Sequence, residues 1–246
     1  MDNIYTITLG THKVTYQFIF SETNYMFKNC NITPDCWKPE TIYTKDIFDH
    51  YRQITPAGVK NEYVEYRSLA GPTSCKLMEY GSFLFHCVSF VYMEHAWLLS
   101  APSGTGKTTQ YLNWIRSFPD EIQMICGDMP VIEFRNSDDI TVFSSPWNGK
   151  ERIGNKLSAP LGGVIFLEQN QTNNISRISL ADGVTRLFKQ IVHKPGTEEE
   201  ILLITEFANL LFSRYPVWLF KNNGQPESTT VLRNKIRAYM GASNEI

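Results

Sequence analysis

Between Ala96 and Thr109 the chain reads Ala-Trp-Leu-Leu-Ser-Ala-Pro-Ser-Gly-Thr-Gly-Lys-Thr-Thr, and no other stretch limits its fold as tightly. Trp97-Leu98-Leu99 is an apolar run of strand type. It breaks into Ala101-Pro-Ser-Gly-Thr-Gly-Lys107-Thr108, after which Thr109 to Arg116 takes helical spacing. A strand, a glycine-bearing loop ending in Lys-Thr and then a helix is the context that a phosphate-binding P-loop requires. Gly104 and Gly106 let backbone N–H groups converge on phosphate oxygens at the positive end of the helix. In that arrangement Lys107 reaches the β- and γ-phosphates and the Thr108 hydroxyl holds Mg²⁺. The predicted nucleotide-binding residues are Pro102, Ser103, Gly104, Thr105, Gly106, Lys107, Thr108 and Thr109, with Ala101 where a first glycine is usual.

The following strand supplies the second candidate group. Ile122-Gln-Met-Ile-Cys126 is short and apolar, and it ends in Gly127-Asp128-Met129-Pro130. A carboxylate at the tip of a buried strand after such a helix is where a Mg²⁺ ligand belongs. Two parallel strands flanking the loop would bring both C-terminal ends to the ligand-binding edge of an α/β sheet. Thr108 and Asp128 are therefore the predicted metal ligands.

Elsewhere the chain alternates between strand and helix signals. Ile4 to Phe20 reads as a hairpin broken at Gly10-Thr11-His12. Ser21 to about Thr55 reads as loop with one or two short strands, Tyr63 to Tyr66 as a strand, and Gly71-Pro72 as a turn. Ser82 to Met93 is a long β run that places His86 inside a strand, with the turn at Glu94-His95. Val131–Phe134 and Ile140–Phe143 form a hairpin around Asn136-Ser-Asp-Asp139, whose Asp138-Asp139 pair reads as a solvated turn. The polar loop from Ser145 to Asn155, with Lys150, Glu151 and Arg152, could either close over a transferring phosphate or simply be solvated. Leu161–Leu167 is a buried strand and Asn170–Asn174 a turn. Ser179 and Thr197 open two helices, Pro216 closes the second, Val217–Phe220 is a last strand and Val231–Met240 a last helix.

Composition closes off other classes. The net charge of −2 gives no support for a nucleic-acid or membrane-surface partner. No apolar run approaches the ~18 residues of a membrane helix. The five cysteines (Cys30, Cys36, Cys75, Cys87, Cys126) are odd in number and form no C-x-x-C, so they read as free thiols in a reducing compartment, with a zinc site as the minor alternative. Met1-Asp-Asn-Ile shows no basic-then-apolar leader. A soluble cytoplasmic protein is expected.

From about Phe83 to Met240 the chain resembles the HPr kinase/phosphorylase-like kinases, relatives of the ATP-dependent phosphoenolpyruvate carboxykinases. His86 stands fifteen positions before Ala101, where that family also carries a histidine. Pro102-Ser-Gly-Thr-Gly-Lys-Thr-Thr109 is close to the family's phosphate loop. Asp128 falls at the second position of its Asp-Asp pair, with Gly127 at the first. Ser158 to Glu168 looks like the late strand that closes with Leu-Glu.

The resemblance implies an α/β fold: a mixed-sheet P-loop core over 81–246 with flanking helices, preceded by a β-rich region over 1–80. It implies ATP and Mg²⁺, with catalytic roles for Lys107, for Asp128 as activator of the acceptor hydroxyl, and for His86 at the border of the phosphate site. The acceptor would be a serine or threonine hydroxyl of a peptide, protein or small molecule, and a homo-oligomer is an option, since HPr-type relatives form rings. Two other readings stay open: a non-catalytic nucleotide-binding module, suggested by Gly127 and Ala101, and a carboxykinase-like lyase.

Overall fold

The computed structural model describes residues 3–28, 30–135, 139–149 and 154–243. Its first part is built from β1 (Ile4–Leu9), β2 (His12–Gln17), a 3₁₀ turn (Ser21–Phe27), β3 (Asn31–Pro34) and β4 (Ile42–Tyr43). These four strands form one sheet in the order β3-β1-β2-β4. Three helices follow: α1 (Lys45–Ile54), α2 (Asn61–Ser68) and α3 (Ala70–Met78).

Those helices correct the expectation of a β-rich region with a strand at Tyr63–Tyr66 and a turn at Gly71-Pro72. The periodicity of α2 is hidden because its inward face includes a carboxylate. Glu65 is fully buried and accepts the backbone N–H groups of Ile19 (2.7 Å) and Phe20 (3.2 Å) together with the hydroxyls of Thr23 and Thr44. A buried charge is tolerated when its lone pairs are filled in this way. Pro72 lies in the first turn of α3, where a missing N–H costs nothing, so the dipeptide that reads as a turn sits inside a helix.

The remaining elements are β5 (Ser82–Leu84), β6 (Cys87–Tyr92), β7 (His95–Ser100), α4 (Lys107–Ser117), β8 (Ile122–Cys126), β9 (Val131–Glu133), β10 (Thr141–Phe143) and β11 (Ser158–Gln169). After them come β12 (Asn174–Arg177), α5 (Leu180–Gln190), α6 (Glu198–Arg214), β13 (Val217–Asn222) and α7 (Glu227–Ser243). The nine strands run β5-β9-β10-β11-β7-β6-β8, with β13 added on β11 and β12 on β13. Strand β7 is parallel to β11, which is parallel to β13, whereas β6 is antiparallel to both β7 and β8. The fold is α/β with a mixed sheet. The tip of the β9–β10 hairpin, including Asp138, lies outside the described residues, as do Lys150, Glu151 and Arg152.

Alternation along the central strands separates two cores. Ala96, Leu98, Val164 and Phe166 face Leu187 of α5 and Leu203, Phe207 and Leu211 of α6. Trp97, Leu99, Ile165 and Leu167 face Tyr111 and Trp114 of α4 and Leu232 and Ile236 of α7. This is the period-two signature of a strand buried on both faces. Each large side chain so buried is worth roughly 1.5–3 kcal/mol relative to exposure. A third core joins Ile7, Val14, Tyr16 and Phe27 to Leu84, Val131 and Trp147, packing the first sheet against the second.

Two boundaries differ from expectation in ways that matter for the cleft. The run from Ser82 to Met93 is two strands, because β5 pairs with β9 while β6 pairs with β7 and β8. His86 lies at the break between them, not inside a strand. The turn that returns the chain is Met93-Glu94, both at positive φ (50° and 63°), as a two-residue hairpin requires. The capping reading is met in full at α6, where Thr197 and Glu200 form a capping box, and by half at α5, where Ser179 Oγ accepts the N–H of Asp182 without the reciprocal bond. Among the described residues no helix is long and apolar enough to cross a membrane.

Candidate active site

Strand direction gathers the candidate groups at one edge. Strands β7 and β8 both end there, and β6, antiparallel to each, begins there; Cys87 is in register with Ser100, and Ser89 with Cys126. Strands β7 and β8 are thus parallel to one another but separated by β6, so they do not flank the loop side by side as the sequence suggested. Two backbone bonds and one from a side chain fix the corner. Cys87 N–H donates to the Asp128 carbonyl (2.9 Å), His86 N–H to the Gln190 carbonyl (2.8 Å), and Ser100 Oγ to the His86 carbonyl (3.1 Å).

The loop from Ala101 to Gly106 leaves β7 and enters α4 through two left-handed glycines, Gly104 (φ 83°) and Gly106 (φ 103°). A Cβ at either would meet nothing within 4 Å, so the backbone angle alone calls for glycine there. Lys107 is buried and its Nζ donates to the carbonyls of Ala101 (2.7 Å) and Pro102 (3.3 Å), closing the loop on itself. Burial pushes its pKa down, against the pull of Cys87 and Asp128.

A cleft of about 880 Å³ opens over this edge. Ser103, Gly104, Gly106, Lys107, Thr108 and Thr109 line it, as do His86 and Asp128. Pro102 and Thr105 do not. Pro102 has no N–H to offer; its carbonyl accepts the Thr105 N–H (3.3 Å) as well as Lys107 Nζ, and it lines a neighbouring pocket with Ala101. Gly149 also lines the cleft, at the start of the Ser145–Asn155 loop. Pro146 and Trp147, just before it, are anchored from the first part of the chain: Trp147 Nε1 donates to the Tyr66 carbonyl (3.0 Å) and Tyr66 Oη to the Pro146 carbonyl (2.7 Å).

Asp128 is held from two sides. Arg67 Nη1, on α2, donates to its Oδ2 at 3.1 Å, and His86 Nε2 lies 3.4 Å from its Oδ1. Burial would raise the carboxyl's pKa, but the bonds from His86 and Arg67 outweigh it and hold the group below the usual carboxylate range. His86 is oriented in turn by Gln190, whose Oε1 lies 2.9 Å from Nδ1.

Sequence reasoning missed Arg67, Gln190, Lys189 and Lys194, which all line this cleft. The only signal for Arg67 was a helix register over 61–68, from which it follows Tyr63 by one turn. Lys189 at the end of α5 reads as an ordinary complement to a helix C-terminus, so nothing in the sequence sets it apart. Among the described lining residues there are four lysine or arginine cations and one carboxylate. Such a surface suits a polyanion.

No protein-family model matches the chain, and no curated protein matches it. Among solved structures, the HPr(Ser) kinase/phosphatase of Coxiella burnetii is similar over 64% of this chain and 98% of its own, at 14% identity and a TM-score of 0.34. A likeness that distant says nothing about chemistry, and the reading of the cleft rests on its own residues.

Proposed function

We propose that the protein is an ATP-dependent phosphotransferase that moves the terminal phosphoryl group to a hydroxyl of a peptide, protein or small molecule, serine and threonine side chains included. One observation carries this reading: a left-handed glycine loop at a helix start, with Lys107 and Thr108, faces the same cleft as a carboxylate pinned at the adjoining strand ends. The loop N–H groups and the start of α4 would bind phosphate oxygens. Lys107, released from the Ala101 and Pro102 carbonyls, would follow charge onto the transferring group. Asp128 would hold the acceptor O–H and take its proton as the new O–P bond forms and the bond to the departing diphosphate breaks. Arg67 and His86 position that carboxylate, while Lys189 and Lys194 add positive charge to the cleft wall.

The residues also fit Mg²⁺. It prefers oxygen ligands and is usually held by one or two carboxylates together with substrate phosphates. Thr108 and Asp128 present such oxygens to one cleft, and an ionised carboxylate has about four lone-pair sites, of which Arg67 and His86 engage two. Bound there, the ion would neutralise charge on the transferring phosphates.

A second reading has its own support. Both oxygens of Asp128 are engaged within the protein, and Gly127 leaves the strand end with one carboxylate where the family resemblance calls for two, as a nucleotide-binding module without catalysis would have. Asp128→Asn separates the two. With ATP radiolabelled at the terminal phosphate and a panel of hydroxyl acceptors, a kinase transfers label in the wild type and loses ~10²–10⁴-fold in the variant, while ATP binding persists. Equal labelling by both proteins would remove Asp128 from the acceptor role, and ATP binding with no transfer by either overturns the catalytic reading.

A further inference from the structure

Around His193, three metal-ligating side chains converge from separate parts of the chain. Cys75 is on α3, His193 follows α5, and Glu200 is in the first turn of α6. His193 Nε2 is 3.0 Å from Glu200 Oε1, and Cys75 Sγ is 3.4 Å from the same oxygen. One donor atom from each residue lies within 4.8 Å of the other two. A tetrahedral ion with bonds of about 2.0–2.3 Å sets neighbouring donors roughly 3.3–3.8 Å apart. The observed spacing brackets that distance, so small side-chain rotations suffice.

The carboxylate is already aimed. Glu200 Oε2 accepts the N–H groups of Gly196 (2.7 Å) and Thr197 (3.1 Å) in the capping box, which leaves Oε1 facing the thiol and the imidazole. Outer bonds of this kind orient metal-ligating carboxylates in general. A cavity of about 310 Å³ borders Cys75 and Glu200 and leaves room for a fourth ligand. Without an ion, thiol and imidazole both crowd onto a single carboxylate oxygen.

We propose that Cys75, His193 and Glu200 form a zinc site with water in the fourth position. A thiolate and an imidazole beside one carboxylate favour Zn²⁺ over Mg²⁺ or Ca²⁺, which select all-oxygen sets. Binding replaces the Sγ–H bond by an S–Zn bond and releases that proton to solvent, with no change of oxidation state. The consequence is mechanical. His193 lies between Val192 and Lys194, which both line the cleft, and Val192 N–H donates to the Leu84 carbonyl (3.0 Å). The ion would clamp this cleft wall to α3 and α6. The proposal stands whether or not the cleft binds nucleotide.

The test is titration of the chelator-treated full-length protein with Zn²⁺ by calorimetry, repeated with Co²⁺ in an absorption cell. The wild type should take one ion per chain and give a thiolate-to-cobalt charge-transfer band with tetrahedral d–d bands. Cys75→Ser should lose that band, and both it and His193→Ala should bind at least ~10–100-fold more weakly, the range seen even for lost outer-shell partners. Glu200→Gln keeps the capping box, since glutamine serves there too, so weakened binding in this variant reports the ligand and not the helix start. Cys36→Ser, at an exposed thiol, should bind as the wild type does. No uptake by the wild type, an unaltered affinity in Cys75→Ser, or a cobalt spectrum without the thiolate band would overturn the site.

Discussion

The loop 101–109 and the trio Arg67–Asp128–His86 face one cleft, but they are assembled by different means. The loop is local. Its glycine angles, the lysine bonded to carbonyls five and six residues back and the helix that follows lie within seventeen consecutive residues, 101–117. The trio joins α2, the β5–β6 break and the end of β8, and its geometry depends on how the first sheet and its helices pack on the second. A local motif tolerates change elsewhere in the chain. A site assembled across a packing interface inherits every weakness of that interface. Phosphate binding should therefore be the robust half of the proposed chemistry and acceptor activation the fragile half.

Lys107→Ala is the most severe challenge to this contrast. It removes the one buried cation of the loop, and transfer should fall by ~10²–10³-fold, the scale of losing a single preorganised charge-stabilising donor. ATP affinity, read by calorimetry, should fall with it. Unaltered ATP affinity would mean that the loop is not the phosphate seat, and the contrast would fail at its firmer end.

Next comes Glu65→Ala. This substitution takes the shared acceptor from two part-buried backbone N–H groups and from the buried Thr23 hydroxyl, leaves Thr44 only the Gln17 carbonyl, and loosens the helix that carries Arg67. A loss of about 2–4 kcal/mol is expected, read as a lowered denaturant midpoint. Below the transition the variant should still bind ATP, because the loop does not depend on α2. If ATP affinity collapsed while the protein stayed folded, the two halves would be coupled and not separate.

A smaller effect is expected at Gly106→Ala. No neighbour obstructs a methyl group there, so the cost is the strained φ of 103° alone, about 1–2 kcal/mol in thermal unfolding. Gly163 gives the contrasting case. Its backbone is unstrained, but a Cβ would lie 2.8 Å from the Pro216 carbonyl oxygen and 2.9 Å from Trp97, so Gly163→Ala acts through crowding.

The same division explains what could be read from the chain alone. The strand–loop–helix, the late strand β11 and the capped helices α5 and α6 each declare themselves within a dozen or so residues. Asp128 was legible because it ends a strand whose apolar run is unmistakable. Arg67 was not, because α2 hides its periodicity behind the buried Glu65, and its aromatic and β-branched residues favour strand by propensity. Pro72 concealed α3 in the same way. Pairing was also illegible. Nothing in Ser82–Met93 shows that the run divides at His86 between two partners, or that β6 would stand between β7 and β8.

The finest test lies within the trio, at Arg67→Ala. In the wild type, burial raises the Asp128 pKa, and the bonds from His86 and Arg67 more than offset it, leaving the folded value below the unfolded one. A carboxylate depressed in this way contributes stability above the ordinary carboxylate range and loses it as pH falls through its folded pKa. Removing Arg67 leaves His86 alone to oppose burial, so Asp128 should titrate at higher pH in the variant. The stability it contributes near neutrality should shrink, and acid unfolding should begin earlier. Carboxyl carbon NMR on the metal-free protein reads this shift directly, and Arg67→Lys, which keeps the charge but loses the planar donor, should fall between the two. A carboxyl that titrates unchanged in Arg67→Ala would show that α2 merely touches the site, and the acceptor side would then be as local to the second sheet as the loop is.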